Sequence, residues 1–263
     1  VYNIWLVKRG DFCLYVLRGV YMISFKKICK LVFSFLITAL VLFSYFHLNE
    51  ASALVTDENL ISENENKVDY YEFVDSLKNA YSNDDIVGKI RIDGTFLDEV
   101  IVQGNDNSYY LSHDNYKNYN IAGSLFVDSR VNLDDDKKIL IYGHNSPKGD
   151  TPFSVLEEYY DYEYFKEHPI IELTTDKGIR NFQIFAVYIE TGDWSYMKVD
   201  FKDDNEFLTH INSLREKSFY DTSVLVNGDD NVLILQTCSY HKDYRRFNKK
   251  YLLVMAKEIK SSN

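Results

Sequence analysis

Short apolar or alternating runs follow one another along the chain from residue 86 onward. Each run is four to nine residues long and rich in aliphatic and aromatic side chains, which is typical of strands. Eight such runs occupy residues 86–92, 99–103, 124–127, 138–142, 170–174, 181–189, 231–237 and 251–259. Eight short strands in one stretch of chain predict a mainly β domain that closes as a barrel or a sandwich.

Three further segments have helical spacing. The first carries large apolar residues at Tyr70, Phe73, Val74, Leu77 and Tyr81, which predicts an amphipathic helix of about three turns. A threonine followed by proline at 151–152 is an N-cap signal for a second helix. Apolar residues recur with the same period within 204–217, which predicts a third helix. The domain is therefore predicted to be α+β, with helices between the strands.

A long apolar run precedes this domain. Residues 31–49 contain no Asp, Glu, Lys or Arg, and Lys26, Lys27 and Lys30 come just before them. This pattern predicts a transmembrane anchor at 28–49, with residues 1–27 in the cytoplasm and the larger C-terminal part outside. The predicted localisation is the cell membrane, single-pass. Ala51-Ser52-Ala53 resembles a cleavage site, so a removed signal peptide is the alternative.

The flanking segments complete the predicted organisation. Met22 stands directly before the lysine-rich stretch, so residues 1–21 are either the product of a misplaced start or a genuine cytoplasmic extension. Residues 50–66 are rich in Glu, Asn and Ser and are predicted to be a linker. Residues 67–263 remain as one folded domain of ordinary size.

Charge is distributed unevenly between the two parts. The whole chain has a formal net charge of −11, although residues 1–50 hold six Lys and Arg against two acidic residues. The remainder is therefore strongly acidic. An acidic domain repels polyanions, so nucleic acid is not an expected partner.

Cys238 is the only cysteine after residue 50, because Cys13 and Cys29 lie in the N-terminal part. The exported part cannot form an internal disulfide. A lone thiol exposed to oxidation is most readily explained by a reactive role, and a buried inert cysteine is the alternative. Cys238 also ends a strand of the buried type, 232–238, which would hold a nucleophile on a rigid element.

A thiol needs a neighbouring base or cation to react near neutral pH. His144 follows the apolar run 138–142 directly after a glycine, so it would lie at the rim of the sheet. His241 is a rival base close to the cysteine, but it sits in a polar run that favours a solvated loop. The other histidines of the domain, His113, His168 and His210, are predicted to be on loops or on the surface.

Acyl transfer also needs hydrogen-bond donors for the developing oxyanion. Arg245 and Arg246 follow the cysteine, and arginine offers a fixed fork of donors. A solvated basic turn is the competing interpretation. The sequence has no H-E-x-x-H motif, no paired cysteines for zinc, no phosphate-binding glycine loop and no calcium-loop spacing, so neither a metal nor a cofactor is expected.

These residues together resemble the sortases of Gram-positive bacteria, and class B in particular. Thr237-Cys238 is similar to the end of a T-x-T-C-like signature, and residues 142–145 match a Y-G-H-N element. Residues 106–111, 122–130 and 199–201 also resemble class B sequence, and the likeness extends over about 68–260. The helix predicted ahead of the cysteine strand is similar to the insertion that marks class B.

The resemblance implies an eight-stranded sortase-type β-barrel with an N-terminal helical appendage. It implies that Cys238 attacks a carbonyl in a C-terminal sorting motif of a secreted protein, that His144 acts as acid and base, and that Arg246, rather than Arg245, steadies the oxyanion. The thioester would then pass to an amine of a cell-wall precursor or a pilin. The residues implied to line the substrate groove are Asn107, Leu111, Tyr196, Met197 and Gln236.

Two other functions remain open from the sequence. A cysteine peptidase could use the same pair of residues to hydrolyse cell-wall peptides, with water in place of the amine. A non-catalytic, anchored surface-binding domain would leave Cys238 without a chemical role.

Overall fold

The computed structural model describes residues 68–260, in which eight strands form a closed barrel. Their order around the barrel is β1-β2-β3-β4-β7-β8-β6-β5. The strands are β1 (Ile86–Arg91), β2 (Asp98–Val102), β3 (Leu125–Val127), β4 (Lys138–Tyr142), β5 (Ile170–Thr175), β6 (Gly178–Glu190), β7 (Val232–Cys238) and β8 (Tyr251–Glu258). All eight predicted strands are present. The sequence predicted either a barrel or a sandwich, and the strands form a barrel.

Two neighbouring pairs in the barrel are parallel, β2 with β3 and β4 with β7, and the other pairs are antiparallel. In the β4–β7 pair, Tyr142 lies beside Gln236. Because parallel strands end at the same edge of a sheet, the residues that follow β4 emerge next to the end of β7. This pairing determines where the functional residues lie.

Within residues 68–260, three α-helices accompany the barrel: α1 (Tyr70–Tyr81), α2 (Tyr162–Glu167) and α3 (Asp204–Arg215). The carboxylates of Asp69 and Asp203 cap the first turns of α1 and α3 by accepting backbone N–H bonds. Helix α1 is the predicted N-terminal appendage, and α3 is the predicted helix ahead of the cysteine strand. The predicted helix that begins at Thr151-Pro152 is a 3₁₀-helix, Pro152–Tyr160, and α2 follows it directly and ends at the C-cap His168.

The central strands are buried on both faces. In β4, Ile139 and Ile141 belong to one hydrophobic cluster, whereas Leu140 and Tyr142 belong to a second cluster that also contains Phe207 of α3. Alternate side chains of a strand point to opposite faces. The continuous apolar runs of β4 and β7 are therefore explained by packing on one face against the barrel core and on the other against the inserted helix.

The expected membrane location has to be corrected. Within residues 68–260, no helix is both long enough and apolar enough to cross a bilayer, which contradicts the prediction of a single-pass membrane protein with an extracellular domain. The segment 28–49, on which that prediction was based, lies outside the described residues, as do the predicted cytoplasmic segment at 1–27 and the linker at 50–66.

Barrel closure depends on a close approach at Gly88. A Cβ atom at this position would lie 2.0 Å from the backbone oxygen of Thr174 on the neighbouring strand β5. We expect Gly88→Ala to lower the free energy of unfolding by about 2 kcal/mol or more, because strand backbone must move to relieve the clash. Gly192→Ala is the matched control, since nothing lies within 4 Å of its added Cβ. Urea denaturation of both variants measures the difference, and equal stabilities would contradict this account of closure.

Candidate active site

The loop after β4 is hydrogen-bonded to the end of β7. The Gly143 backbone N–H donates to the Gln236 carbonyl at 3.1 Å, and the Thr237 hydroxyl donates to the Gly143 carbonyl at 2.8 Å. The side-chain amide of Asn145 donates to the Cys238 carbonyl at 2.8 Å. His144 is therefore held on both sides by residues bonded to the strand that ends in the cysteine.

A pocket of about 500 Å³ opens at this edge of the barrel, and both His144 and Cys238 line it. The residues lining the pocket are Asn107, Leu111, Phe126, Tyr142, Gly143, His144, Trp194, Tyr196, Met197, Gln236, Cys238, Lys249 and Tyr251. All five residues predicted to line a substrate groove are among them. The structure thus brings the two predicted catalytic residues and the five predicted groove residues to one place.

The thiol of Cys238 is free and accessible to solvent. It nevertheless lies among the protein atoms of the pocket, and this burial raises the pKa of the Cys238 thiol, while the nearby charge of Lys250 lowers the pKa. Desolvation disfavours the thiolate and a positive charge favours it. The net result is a thiol that is largely protonated at neutral pH.

His144 is oriented by the chain segment that precedes β3. Its Nε2 atom lies 2.8 Å from the Leu111 carbonyl oxygen. A carbonyl can only accept a hydrogen bond, so Nε2 carries the proton and Nδ1 remains for proton exchange. Gly123, with φ of +62°, allows this approach, because a Cβ there would lie 2.5 Å from the Tyr110 carbonyl oxygen and 3.1 Å from the ring of His144.

The arginines are not brought into the pocket. Arg245 and Arg246 are both exposed and are absent from the pocket lining, and the Arg246 guanidinium lies over the Phe247 ring at 4.8 Å. Lys249 lines the pocket instead, and half-buried Lys250 is the cation whose charge acts on the thiol. The positive charge at the site comes from the last residues before β8.

The family model described as Sortase domain matches residues 90–259. Sortase B of Listeria monocytogenes is 38% identical over 168 residues, which cover 62% of this chain and 67% of that protein. The chain belongs to the sortase family. The solved Staphylococcus aureus sortase B–substrate complex has a TM-score of 0.66 at 31% identity, covering 78% of this chain and 92% of that structure. Sortase B complexed with triglycine has a TM-score of 0.67 at 30% identity, with coverages of 82% and 98%.

These relatives are class B sortases, and the resemblance seen in the sequence is thereby confirmed. The eight-stranded barrel with its accompanying helices matches the solved sortase B structures. As a sortase, the chain is a cysteine transpeptidase, and neither the hydrolytic peptidase nor the non-catalytic binding domain is favoured by its relatives.

Sequence reasoning missed several lining residues of this sortase. Trp194 and Tyr251 face each other with ring centroids 5.5 Å apart, and Tyr251 pairs with Cys238 across β7 and β8. Lys249 lies over the Trp194 ring at 6.0 Å. The sequence offered one signal for this part of the pocket, a tryptophan at 194 directly after the turn-forming pair Gly192-Asp193. The missed lining residues are Phe126, Tyr142, Gly143, Trp194, Lys249 and Tyr251.

The rival histidine of this sortase lies outside the pocket. His241 caps the 3₁₀-helix Lys242–Tyr244 by accepting the Asp243 N–H and packs against Tyr160. His113 and His168 lie within hydrogen-bond distance of the backbone carbonyls of Tyr109 and Asp93, respectively. Among residues 68–260, no group of three or more His, Cys, Asp or Glu side chains could hold a metal ion.

The raised thiol pKa predicts the pH dependence of alkylation. We expect the rate of Cys238 modification by iodoacetamide to climb with pH and to reach half its maximum above the usual thiol value of about 8.5. Lys250→Gln should move the midpoint higher still, because it removes the charge that lowers this pKa. Peptide mass spectrometry separates Cys238 from Cys13 and Cys29. A midpoint below the usual value would contradict the predicted environment.

Proposed function

We propose that this sortase cleaves a peptide bond in the C-terminal sorting motif of a secreted protein and transfers the acyl group to an amine of a cell-wall precursor or a pilin. The observation that carries the proposal is the shared pocket of Cys238 and His144 at the carboxyl ends of the parallel strands β4 and β7. Solved relatives in complex with a substrate and with triglycine support a peptide donor and an amine acceptor.

The reaction begins at the thiol. Cys238 gives its proton to Nδ1 of His144, its sulfur attacks the carbonyl carbon of the scissile bond, and the resulting tetrahedral intermediate collapses as the C–N bond breaks. The leaving amine takes a proton from Nδ1 of His144, whose Nε2–H stays bonded to the Leu111 carbonyl. The incoming amine then attacks the thioester and gives up a proton to the same nitrogen. That nitrogen passes the proton to the Cys238 sulfur as the C–S bond breaks, which restores the thiol.

The pocket walls suit a neutral peptide segment. Of the described residues, those that line the pocket include no Asp or Glu, although residues 51–263 are strongly acidic overall. The hydroxyl of Tyr196 donates to Oε1 of Gln236 at 2.9 Å, which leaves the Gln236 amide N–H groups to donate to a peptide carbonyl. Met197 and Leu111 supply apolar contact, and Asn107 supplies a polar one.

We assign the positive charge at the thiol to Lys249 and Lys250 in place of Arg246. Lys249 is in the pocket wall, and Lys250 precedes Tyr251, the residue paired with Cys238. The Lys250 carbonyl also accepts the Ser239 N–H at 3.0 Å, so the backbone next to the lysine is fixed to the residue after the cysteine. A cation held here favours both the thiolate and the oxyanion that follows.

The first test concerns the catalytic pair. We expect Cys238→Ala to abolish turnover of a sorting-motif peptide selected from a peptide library, and His144→Ala to lower kcat about 10²–10⁴-fold, the range of a lost general acid–base group. His241→Ala is the matched control, since His241 follows the cysteine closely but does not line the pocket. Chromatographic assay of the amide product, with an oligoglycine as the amine, gives the rates. Substantial turnover by Cys238→Ala would place the chemistry elsewhere, and hydrolysis alone at every amine concentration would refute transfer.

The second test distinguishes the cations. Lys250→Gln and Lys249→Gln should each reduce kcat/KM, with the double variant losing about 10²-fold or more, as for a lost oxyanion partner. Arg246→Gln and Arg245→Gln should stay within a few-fold of the wild type, because both guanidinium groups lie outside the pocket. The same peptide assay measures all five variants. The assignment fails if Arg246→Gln is the variant that loses activity.

A further inference from the structure

One wall of the pocket is a short segment with little secondary structure of its own. The 3₁₀-helix Trp194–Met197 supplies Trp194, Tyr196 and Met197 to the pocket. Its closing backbone bond runs from the Lys198 N–H to the Ser195 carbonyl. A single 3₁₀ turn is a weak element by itself, so the position of this wall depends on what binds it from behind.

Two cations bind the backbone of this segment. The Lys138 ammonium donates to the carbonyls of Tyr196 at 2.6 Å and Lys198 at 2.8 Å. The Arg130 guanidinium donates to the carbonyl between them, that of Met197, at 3.0 Å. Three consecutive carbonyl groups are therefore bound by two basic side chains: the Arg130 guanidinium, which is charged, and the Lys138 amino group, whose pKa burial lowers to about 7. Hydrogen bonds from charged donors are stronger than neutral ones, which makes this an effective clamp.

Lys138 is fully buried, which is rare for lysine. Its third acceptor is Nε2 of His210 at 3.0 Å, so all three ammonium N–H groups have a partner. Burial, together with the charge of Lys138, lowers the pKa of His210 to about 4, so the ring is neutral at pH 7 and can accept the bond. The sequence had indicated a surface position for His210, and this expectation is wrong because α3 packs its ring against Lys138.

Arg130 is fixed by a buried carboxylate. Its guanidinium makes two bonds to Asp128, at 2.9 and 2.7 Å, and Asp128 also accepts the Tyr142 hydroxyl at 2.7 Å. Asp128 is fully buried, and its hydrogen bonds from Arg130 and Tyr142 hold the pKa of Asp128 at about 2 despite that burial. The carboxylate therefore connects the carbonyl of Met197 on one wall with Tyr142 on another.

We propose that Arg130 and Lys138 are positioning residues that hold the 194–198 wall in place and thereby set the affinity of the pocket for the peptide. Neither residue lines the pocket, so each acts through the segment whose carbonyls it binds. The proposal rests on the proposed function in so far as the bound ligand is a sorting peptide. The placement of the wall itself can be measured without any substrate.

The substrate-free test uses Trp194 as a reporter. Trp5 is the other tryptophan, so the experiments use the full chain with Trp5→Phe. We expect Lys138→Met and Arg130→Gln to raise the acrylamide quenching constant of Trp194 about two-fold, because an unfixed wall exposes the indole. Lys137→Met is the matched control, since Lys137 binds Asp204 and the Gly228 carbonyl and makes no bond to the wall.

The kinetic test separates positioning from chemistry. Both variants should raise KM for the peptide about ten-fold and change kcat less than three-fold, the pattern of lost binding contacts, with the rate of Cys238 alkylation unchanged. The proposal would be overturned if folded variants showed unchanged quenching and unchanged KM, or if they lost kcat and the rate of alkylation equally.

If Lys138→Met does not fold, Arg130→Gln alone decides the question, because Arg130 is half-exposed. A wild type without transfer activity would refute the proposed function, and the quenching result would still decide whether the wall is positioned this way.

Discussion

The site depends on the parallel pairing of β4 with β7. Because the two strands run in the same direction and stay in register as far as Tyr142 and Gln236, the chain that leaves β4 emerges beside the chain that leaves β7. A histidine two residues past one strand and a cysteine at the end of the other are thereby brought to one pocket. The flanking bonds from Gly143, Thr237 and Asn145 fix this arrangement through the backbone.

The electrostatics of the site follow from the positions of the charged side chains relative to the pocket. Among residues 68–260, those that line the pocket include no carboxylate and one lysine. The buried carboxylate of Asp128 and the buried amino group of Lys138 lie behind the walls, and both have their hydrogen-bonding positions filled by partners. Buried charges are tolerated when every hydrogen-bonding position is filled. The charged groups behind the pocket therefore support its shape. The pKa of the Cys238 thiol depends mainly on its own desolvation and on the charge of Lys250.

Much of the fold could be predicted from the sequence because its strands are buried on both faces and appear as continuous apolar runs, as in β4 and β7. Cys238 was found because it ends such a run, and His144 because it closely follows one.

The positive charge at the site could not be located from the sequence. The path of the loop between Cys238 and Tyr251 decides which basic side chain faces the thiol, and no periodicity encodes that path. The partnership of Lys138 with His210 was also hidden, because it forms only when α3 packs on β4. The membrane location predicted from 28–49 rested on residues outside those the structure describes.

The most direct measurement of the central claim is the partitioning of the acyl-enzyme. Intact-protein mass spectrometry after mixing with a cleavable peptide should show one adduct, equal in mass to the acyl fragment and located on Cys238. This account predicts that the adduct decays faster in proportion to the concentration of added amine, with the amide as product. An adduct absent from Cys238, or a decay rate that does not respond to the amine, would contradict it.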